Sequence, residues 1–226
     1  MTTYTKINTL YKRDTENKNV IIEGDYSKHE FENIRNWIFT EKIDGTNIRI
    51  TYDFDKKDLK FDGKTDAAQI PAKLFAALSK MFSASMFETV FAPTANDPDK
   101  SFPHRIILFG EGYGAGIQNG GLYRADNGFI LFDVLVDTWW LEYTNVSDIA
   151  EKLGIKVVPM LGIGPMEIGI KLVKNKMLSL ASAQPRVFEG VVASSYPLML
   201  FRDGQPIKWK LKVRDYADLG RVRDMN

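Results

Sequence analysis

Lys42 stands in the string Thr40-Glu41-Lys42-Ile43-Asp44-Gly45-Thr46-Asn47. Two residues after it comes Asp-Gly, where a turn can form, and then the apolar Ile48 and Ile50. A lysine amine is a covalent nucleophile once it has lost its proton, and neighbouring cations or desolvation favour that neutral form. Three more polar clusters lie downstream, each embedded in strand-like sequence: Glu111, then Phe132-Asp133 with Glu189, then Lys208 with Lys210. Together they read as a site that attacks a nucleoside triphosphate and carries the nucleotide on a lysine.

The final run, Ile207-Lys208-Trp209-Lys210-Leu211-Lys212-Val213, alternates apolar and basic residues. In a strand, alternate residues share a face, so Ile207, Trp209, Leu211 and Val213 point to the core and the lysines line the other side roughly 7 Å apart. Such a row either clamps a triphosphate and stabilises charge on the transferred phosphorus or is the solvated face of an amphipathic strand. Glu189-Gly190-Val191-Val192 places one acid on an apolar strand beside a glycine that permits close approach. That acid could hold a metal or a ribose hydroxyl, or be an edge-strand glutamate. Phe129 to Val134 has the same form around Asp133, and Phe132 there could stack on a base or belong to the core.

Other matches fail. Gly110-Glu111-Gly112-Tyr113-Gly114 lacks the third glycine of a dinucleotide fingerprint and opens no helix. Gly63-Lys64-Thr65 resembles the end of a P-loop, but Asp58 stands where its first glycine should be. His29 and His104 have no partner at metal-ligand spacing and read as structural.

The elements that must position these groups follow from periodicity. Residues 4–24 read as strand and loop, and Glu30 to Trp37 as a short helix. Trp37 to Phe54 reads as two strands joined at Asp44-Gly45, with Ile48, Ile50 and Tyr52 alternating. Pro71 opens a helix from Ala72 to about Val90, with Leu74, Leu78, Met81, Phe82 and Met86 on one face. Residues 92–103 form a proline-rich loop. Ile106–Phe109 and Gly128–Val136 read as strands, with a glycine-rich stretch at Gly110–Gly121. Asn145 or Ser147 caps a helix ending at Gly154. Residues 155–161 read as a strand and Met166 to about Ala183 as a helix. Arg186–Ser194, Leu198–Phe201 and Pro206–Val213 follow as strands, with Asp203-Gly204 as a hairpin turn. Strands first, helices inserted and strands last point to α+β with mainly antiparallel sheets.

The 226 residues, 44% hydrophobic and 26% charged, suit a soluble globular protein with a sizeable core. With no cysteine, neither disulfides nor a thiolate zinc site can form. The polar N-terminus has no signal core, and no apolar run reaches the ~20 residues needed to span a membrane. A net charge of +1 advertises no nucleic-acid partner in bulk, so any basic surface is local.

Read in order, Lys42-Ile43-Asp44-Gly45, Phe109-Gly110-Glu111, Phe132-Asp133, Glu189-Gly190-Val191-Val192 and Lys208-Trp209-Lys210 resemble the covalent nucleotidyltransferase superfamily of ATP-dependent ligases and RNA capping enzymes. Within it the chain is most similar to RNA ligases of the phage nick-sealing and kinetoplastid-editing type. Those carry Lys-x-(Asp/His)-Gly-Thr-Asn, which stands here as Lys42 to Asn47, where DNA ligases usually end on arginine. Leu10 to Asp14, Ile21 to Gly24 and Gly63 to Pro71 also resemble phage relatives. Lys64 stands where the family often has arginine, which keeps the charge and loses the bidentate fork.

The resemblance implies a nucleotidyltransferase fold of antiparallel sheets flanked by helices, with a nucleotide pocket between them. The expected organisation is one adenylation domain over 1–226, with no C-terminal OB-fold or other accessory domain. It implies that Lys42 attacks the α-phosphate of ATP, that AMP passes to a 5′-phosphate RNA end, and that a 3′-hydroxyl then displaces AMP. Glu41, largely through its backbone, and Ile43 would lie at the nucleotide. Phe132 and an aliphatic residue of the Val191-Val192 pair, assigned to Val192, would sandwich the base. Asn47 and Lys64 would contact phosphate and Glu111 the ribose. Asp133 and Glu189 would position Mg²⁺ or Mn²⁺, and Lys208 and Lys210 the α-phosphate. Expected partners are RNA ends or a nicked duplex, with no membrane; a partner protein could supply the accessory domain, and oligomeric state is left open. The expected location is cytoplasmic, the host cytoplasm for a phage-encoded chain. The alternatives are a DNA ligase core, a GTP-dependent capping guanylyltransferase, and a non-catalytic nucleotide- or RNA-binding module of the same fold.

Overall fold

The structure is a computed structural model that describes residues 4–16, 20–65, 67–93 and 101–220, with only the backbone of 217–220. In chain order the elements are β1 (Asn8–Thr9), β2 (Tyr11–Asp14), β3 (Val20–Tyr26), α1 (Glu30–Asn33), β4 (Trp37–Glu41), β5 (Thr46–Asp53), β6 (Asp58–Asp62), α2 (Ala72–Met81), α3 (Ala84–Val90), β7 (Arg105–Gly114), β8 (Asn127–Val136), β9 (Trp139–Trp140), α4 (Tyr143–Lys152), β10 (Lys156–Val157), β11 (Met160–Gly164), α5 (Met166–Lys174), β12 (Gly190–Ser195) and β13 (Lys208–Lys212), with 3-10 turns at Gly120–Leu122 and Val213–Gly220. They form two compact units. One comprises Met1–Tyr4 with Asp44–Val158, the other Thr5–Ile43 with Pro159–Asn226.

The first unit is built on a sheet ordered β10-β8-β7-β5-β6, with β9 paired to β8. Its long pairings are antiparallel; β10 joins β8 in parallel. Alternation puts Ile48, Ile50 and Tyr52 of β5 with Ile106 and Leu108 of β7 on one face, against Leu74 and Leu78 of α2, Phe87 of α3, and Val146 and Ile149 of α4. Each such side chain contributes about 1.5–3 kcal/mol on burial. The expected single helix from Ala72 to Val90 is two helices. Phe82 (φ −124°, ψ 136°) and Ser83 (φ −133°, ψ 155°) are extended. Leu74, Leu78 and Phe82 recur every four residues, whereas the next fully buried side chain, Phe87, is five further on. The two extended residues re-phase the chain so that both phenylalanines enter the core.

The second unit has a sheet ordered β1-β13-β12-β4-β11. Trp37 and Phe39 of β4, Val191 and Ala193 of β12, and Trp209 and Leu211 of β13 pack against Met166 and Val173 of α5. Gly169 lets that helix settle on the sheet: a Cβ there would lie 2.6 Å from the Phe39 ring and 2.9 Å from Trp209. The antiparallel pair β2–β3 adds Tyr11 and Ile21 to this core.

Several boundaries depart from expectation. β4 and β5 do not pair with each other at Asp44-Gly45; they belong to different sheets. The apolar run 155–161 splits at Pro159 into β10 and β11, which also lie in different sheets. Helix α1 ends at Asn33, because Trp37 begins a fully buried strand. Helix α4 starts from Glu142 rather than Asn145 or Ser147. Helix α5 stops at Lys174, since Lys176 takes φ 51° and turns the chain towards a bridge between Leu178 and Val187. Gly110 to Gly114, the start of the glycine-rich stretch, continues β7. The turn at Asp203-Gly204 is present, with Leu200 bridged to Pro206 and φ +79° at Gly204. Residues 94–100 of the proline-rich loop, Asp66 and the tail 221–226 lie outside the described residues. No helix among the described residues is long and apolar enough to cross a membrane.

Candidate active site

Lys42 follows β4 directly. Its backbone N–H donates to Gly190 O at 3.0 Å, and its Nζ lies 2.9 Å from Glu189 Oε2. The other oxygen, Glu189 Oε1, lies 2.5 Å from Lys212 Nζ. One carboxylate thus bridges two lysines, with side chains only 18% (Lys42), 15% (Glu189) and 16% (Lys212) exposed. Partial exclusion of water makes each attraction stronger than at an open surface. The backbone is held as tightly, since Val213 N–H donates to Glu189 O at 3.0 Å.

Gly190 makes this approach feasible. It sits at φ +156°, and a Cβ on it would fall 2.1 Å from Leu211 O. Gly190→Ala is expected to lose about 2–4 kcal/mol of stability through strain and overlap. Urea unfolding measures this, and an unchanged midpoint would count against the geometry.

Pairing of β12 with β13 fixes the order of the lysine row. Lys212 lies opposite Gly190, Lys210 opposite Val192 and Lys208 opposite Ser194. Ile207, Trp209 and Leu211 are buried as alternation requires. Lys208 is at the end of the row farthest from Glu189 and is itself buried. Lys212, a member of the row that the resemblance left out of the site, is the lysine that reaches Glu189. Its signal was present as the third member of the alternating row. Thr40 and Val192 are neighbours across the sheet, with Thr40 Oγ1 donating to Val192 O at 3.2 Å.

Glu41 is 1% exposed. Its carboxylate accepts from Ser179 Oγ and from the backbone N–H groups of Leu180 at 2.8 Å and Ala181 at 3.0 Å. Its own N–H donates to Pro159 O at 2.9 Å. The side chain is spent holding the segment after α5, another role invisible in the sequence. Ile43, two residues on, is buried as well.

The remaining candidates belong to the other unit. Asp44 accepts from Asn119 Nδ2 at 3.0 Å, and its N–H donates to Tyr123 Oη at 3.3 Å. A Cβ on Gly45 would lie 2.5 Å from Gly112 O, so the turn admits no side chain. Asn47 and Glu111 are cross-strand neighbours. The Asn47 Oδ1 atom is buried without a hydrogen-bond partner, an arrangement costing about 1–3 kcal/mol unless a ligand satisfies the group. Lys64 is exposed in the turn after β6.

A β-bulge brings Phe132 and Asp133 together. Phe109 pairs with Asp133, but the next residue, Gly110, pairs with Leu131, so Phe132 is the extra residue. Leu131 and Val134 both enter the core. The phase slip therefore turns two consecutive side chains to the opposite face, which ordinary alternation forbids. Tyr4 covers them: its hydroxyl donates to Asp133 Oδ2 at 2.5 Å, and its ring lies 5.2 Å from Phe132 and 4.9 Å from Phe109. Burial, then the Asp133 carboxylate, push the Tyr4 hydroxyl well above its ordinary pKa, so it remains a donor.

The RNA ligase family model matches residues 35–210, well over half of the 226. The chain belongs to the RNA ligase family. This RNA ligase family member is similar in fold to solved structures of the Naegleria gruberi RNA ligase. An apo point mutant of that protein matches with a TM-score of 0.64 at 16% identity, covering 98% of this chain and 57% of that one. A point mutant with ATP and Mn gives 0.61 at 16%, covering 98% and 62%. The form with PPi gives 0.58 at 18%, covering 99% and 63%. The chain thus spans less than two thirds of the length of these neighbours, and the likeness is one of fold: α+β, with antiparallel sheets flanked by helices. No curated protein matches it.

In this RNA ligase family member no group of three or more His, Asp or Glu residues that could hold a metal occurs among the described residues. Asp133 is engaged by Tyr4, and Glu189 by Lys42 and Lys212. This donor set does not fit a protein-built cage. It fits a cation carried in on phosphate oxygens and met by one or two carboxylates, the usual mode for magnesium. The two histidines face carboxylates of exposed side chains, His29 with Glu32 at 3.4 Å and His104 with Asp55 at 3.0 Å.

Proposed function

We propose that this chain is an ATP-dependent RNA ligase that charges itself at Lys42. One observation carries the reading. In a chain of the RNA ligase family, the lysine of Lys-x-Asp-Gly is held at 2.9 Å on a carboxylate whose other oxygen binds a second lysine. Lys42 Nζ attacks the α-phosphorus of ATP, an N–P bond forms, and pyrophosphate leaves with the bridging oxygen. The proton that Lys42 must lose faces Glu189 Oε2 already. Lys212 and Lys210 stabilise charge growing on the α-phosphate, and Lys208 lies farther along the row. AMP then passes to a 5′-phosphate RNA end, and a 3′-hydroxyl displaces it.

Asn47 and Lys64 contact phosphate, Glu111 the ribose, and Phe132 and Val192 the base; Glu41 and Ile43 contribute backbone. The buried, unpartnered Asn47 amide oxygen supports a ligand at that position. Asp133 and Glu189 would meet the magnesium or manganese ion, which when bound would offset charge on the triphosphate.

The test is sealing of a nicked duplex bearing a 5′-phosphate. ATP should support joining and GTP should not. A ribose at the 3′-hydroxyl side should be preferred, because its 2′-hydroxyl offers both a donor and an acceptor. Joining should fade with salt, since grip must come from local basic residues against a neutral background. Rapid sealing of all-deoxyribose nicks would move the reading to a DNA ligase core, and covalent labelling by GTP to capping.

A further inference from the structure

Lys212 is itself held. Its backbone N–H donates to Asp215 Oδ2 at 2.8 Å, and Asp215 Oδ1 lies 2.6 Å from Arg13 Nη2. The Asp215 side chain is 3% exposed and that of Arg13 34%. A carboxylate so buried is tolerable only with a charged partner and satisfied oxygens, and here each oxygen has one. Arg13 comes from β2, and Asp215 from the 3-10 turn that ends β13. Leu10 N–H donates to Lys210 O at 3.0 Å, two residues before Lys212 on this strand. The Lys212 N–H would otherwise be orphaned at the end of the ladder, and Asp215 takes it. Arg13, Lys212 and Asp215 all lie outside the matched segment 35–210.

We propose that the Arg13–Asp215 pair is a positioning device for Lys212, and that through Lys212 it fixes Glu189 against Lys42. The inference rests on the proposed role of Lys42 for its effect on rate, but the positioning itself does not. Asp215 clamps the backbone of the residue whose Nζ binds Glu189, so loosening the clamp lets that ammonium wander. Arg13 neutralises Asp215 and keeps its second oxygen in place. Neither residue touches the nucleotide, so the maximal rate of Lys42 charging should suffer and the ATP requirement should not.

Two measurements on the full chain test this. The first is the reactivity of Lys212 towards an acetylating reagent, read residue by residue by mass spectrometry. It should rise several-fold in Asp215→Ala and Arg13→Ala and return towards the original value in Arg13→Lys. Unchanged Lys212 reactivity in folded Asp215→Ala would overturn the proposal, whatever the enzyme's activity. The second is single-turnover charging of Lys42 across ATP concentrations. Asp215→Ala should lower the maximal rate ~10- to 100-fold, the scale of a small misplacement, with half-saturating ATP unchanged. It should add nothing in a Lys212→Ala background. A loss that is fully additive there, or that appears in half-saturation alone, would also refute the role. A wild-type chain that takes up no label would sink the ligase reading, while the Lys212 reactivity would still decide the positioning.

Discussion

Incubated with α-labelled ATP and magnesium, the chain should take up acid-stable label, and Lys42→Ala should take up none. The effect is total because no neighbouring group can stand in for the nitrogen. Lys212, also on Glu189, projects from β13, whereas Lys42 follows β4, and its ammonium occupies the far oxygen of the carboxylate. The variant removes one of two cations from Glu189 and leaves the backbone bond from residue 42 to Gly190 possible, so it should fold. It should also still join a strand whose 5′ end already carries AMP, because that step needs no lysine nitrogen. Label surviving in Lys42→Ala would sink the assignment, and loss of both activities would point to misfolding, which circular dichroism would show.

The second large effect is expected at Lys212. Removing one charged contact of this kind costs ~2.7–4 kcal/mol, or ~10²–10³ in rate. Lys212→Ala should lose this much in the charging step, because it leaves Glu189 with Lys42 alone. Lys210→Ala, one row further from Gly190, should lose less or the same. Lys208→Ala, opposite Ser194, should lose least in rate and most in stability, since its side chain is buried. This order reverses the one the family resemblance implied, in which Lys208 and Lys210 hold the α-phosphate. Single-turnover charging of the three variants distinguishes the orders, and equal mild losses would return the row to a solvated strand face.

The sequence showed which residues alternate but not which strands meet. β5 and β13 were legible because each carries an apolar residue at every second position, and β8 and the Ile106–Phe109 half of β7 because they are short apolar runs. The three lysines of β13 look alike for the same reason. Only pairing with β12 sets Lys212 beside Glu189, and pairing is a long-range fact. The Phe132–Asp133 bulge was hidden because it breaks the rule by which strands are read. The partners of Glu41 lie 138 to 140 residues away in the chain, in a stretch read as helix. The helix break at Phe82-Ser83 has no proline or glycine to mark it; the core decides it.

Glu189 divides its two oxygens between two lysines. An acid so occupied has little affinity left for a metal cation. Bonding of Lys42 nitrogen to phosphorus would remove one of its two positive partners and release half of the carboxylate. The same residue would then present a different ligand field before and after the chain is loaded. The site would carry a memory of its own turnover, written in which oxygen of one side chain is open, and cation affinity measured on the bare and the nucleotide-bearing chain would read it.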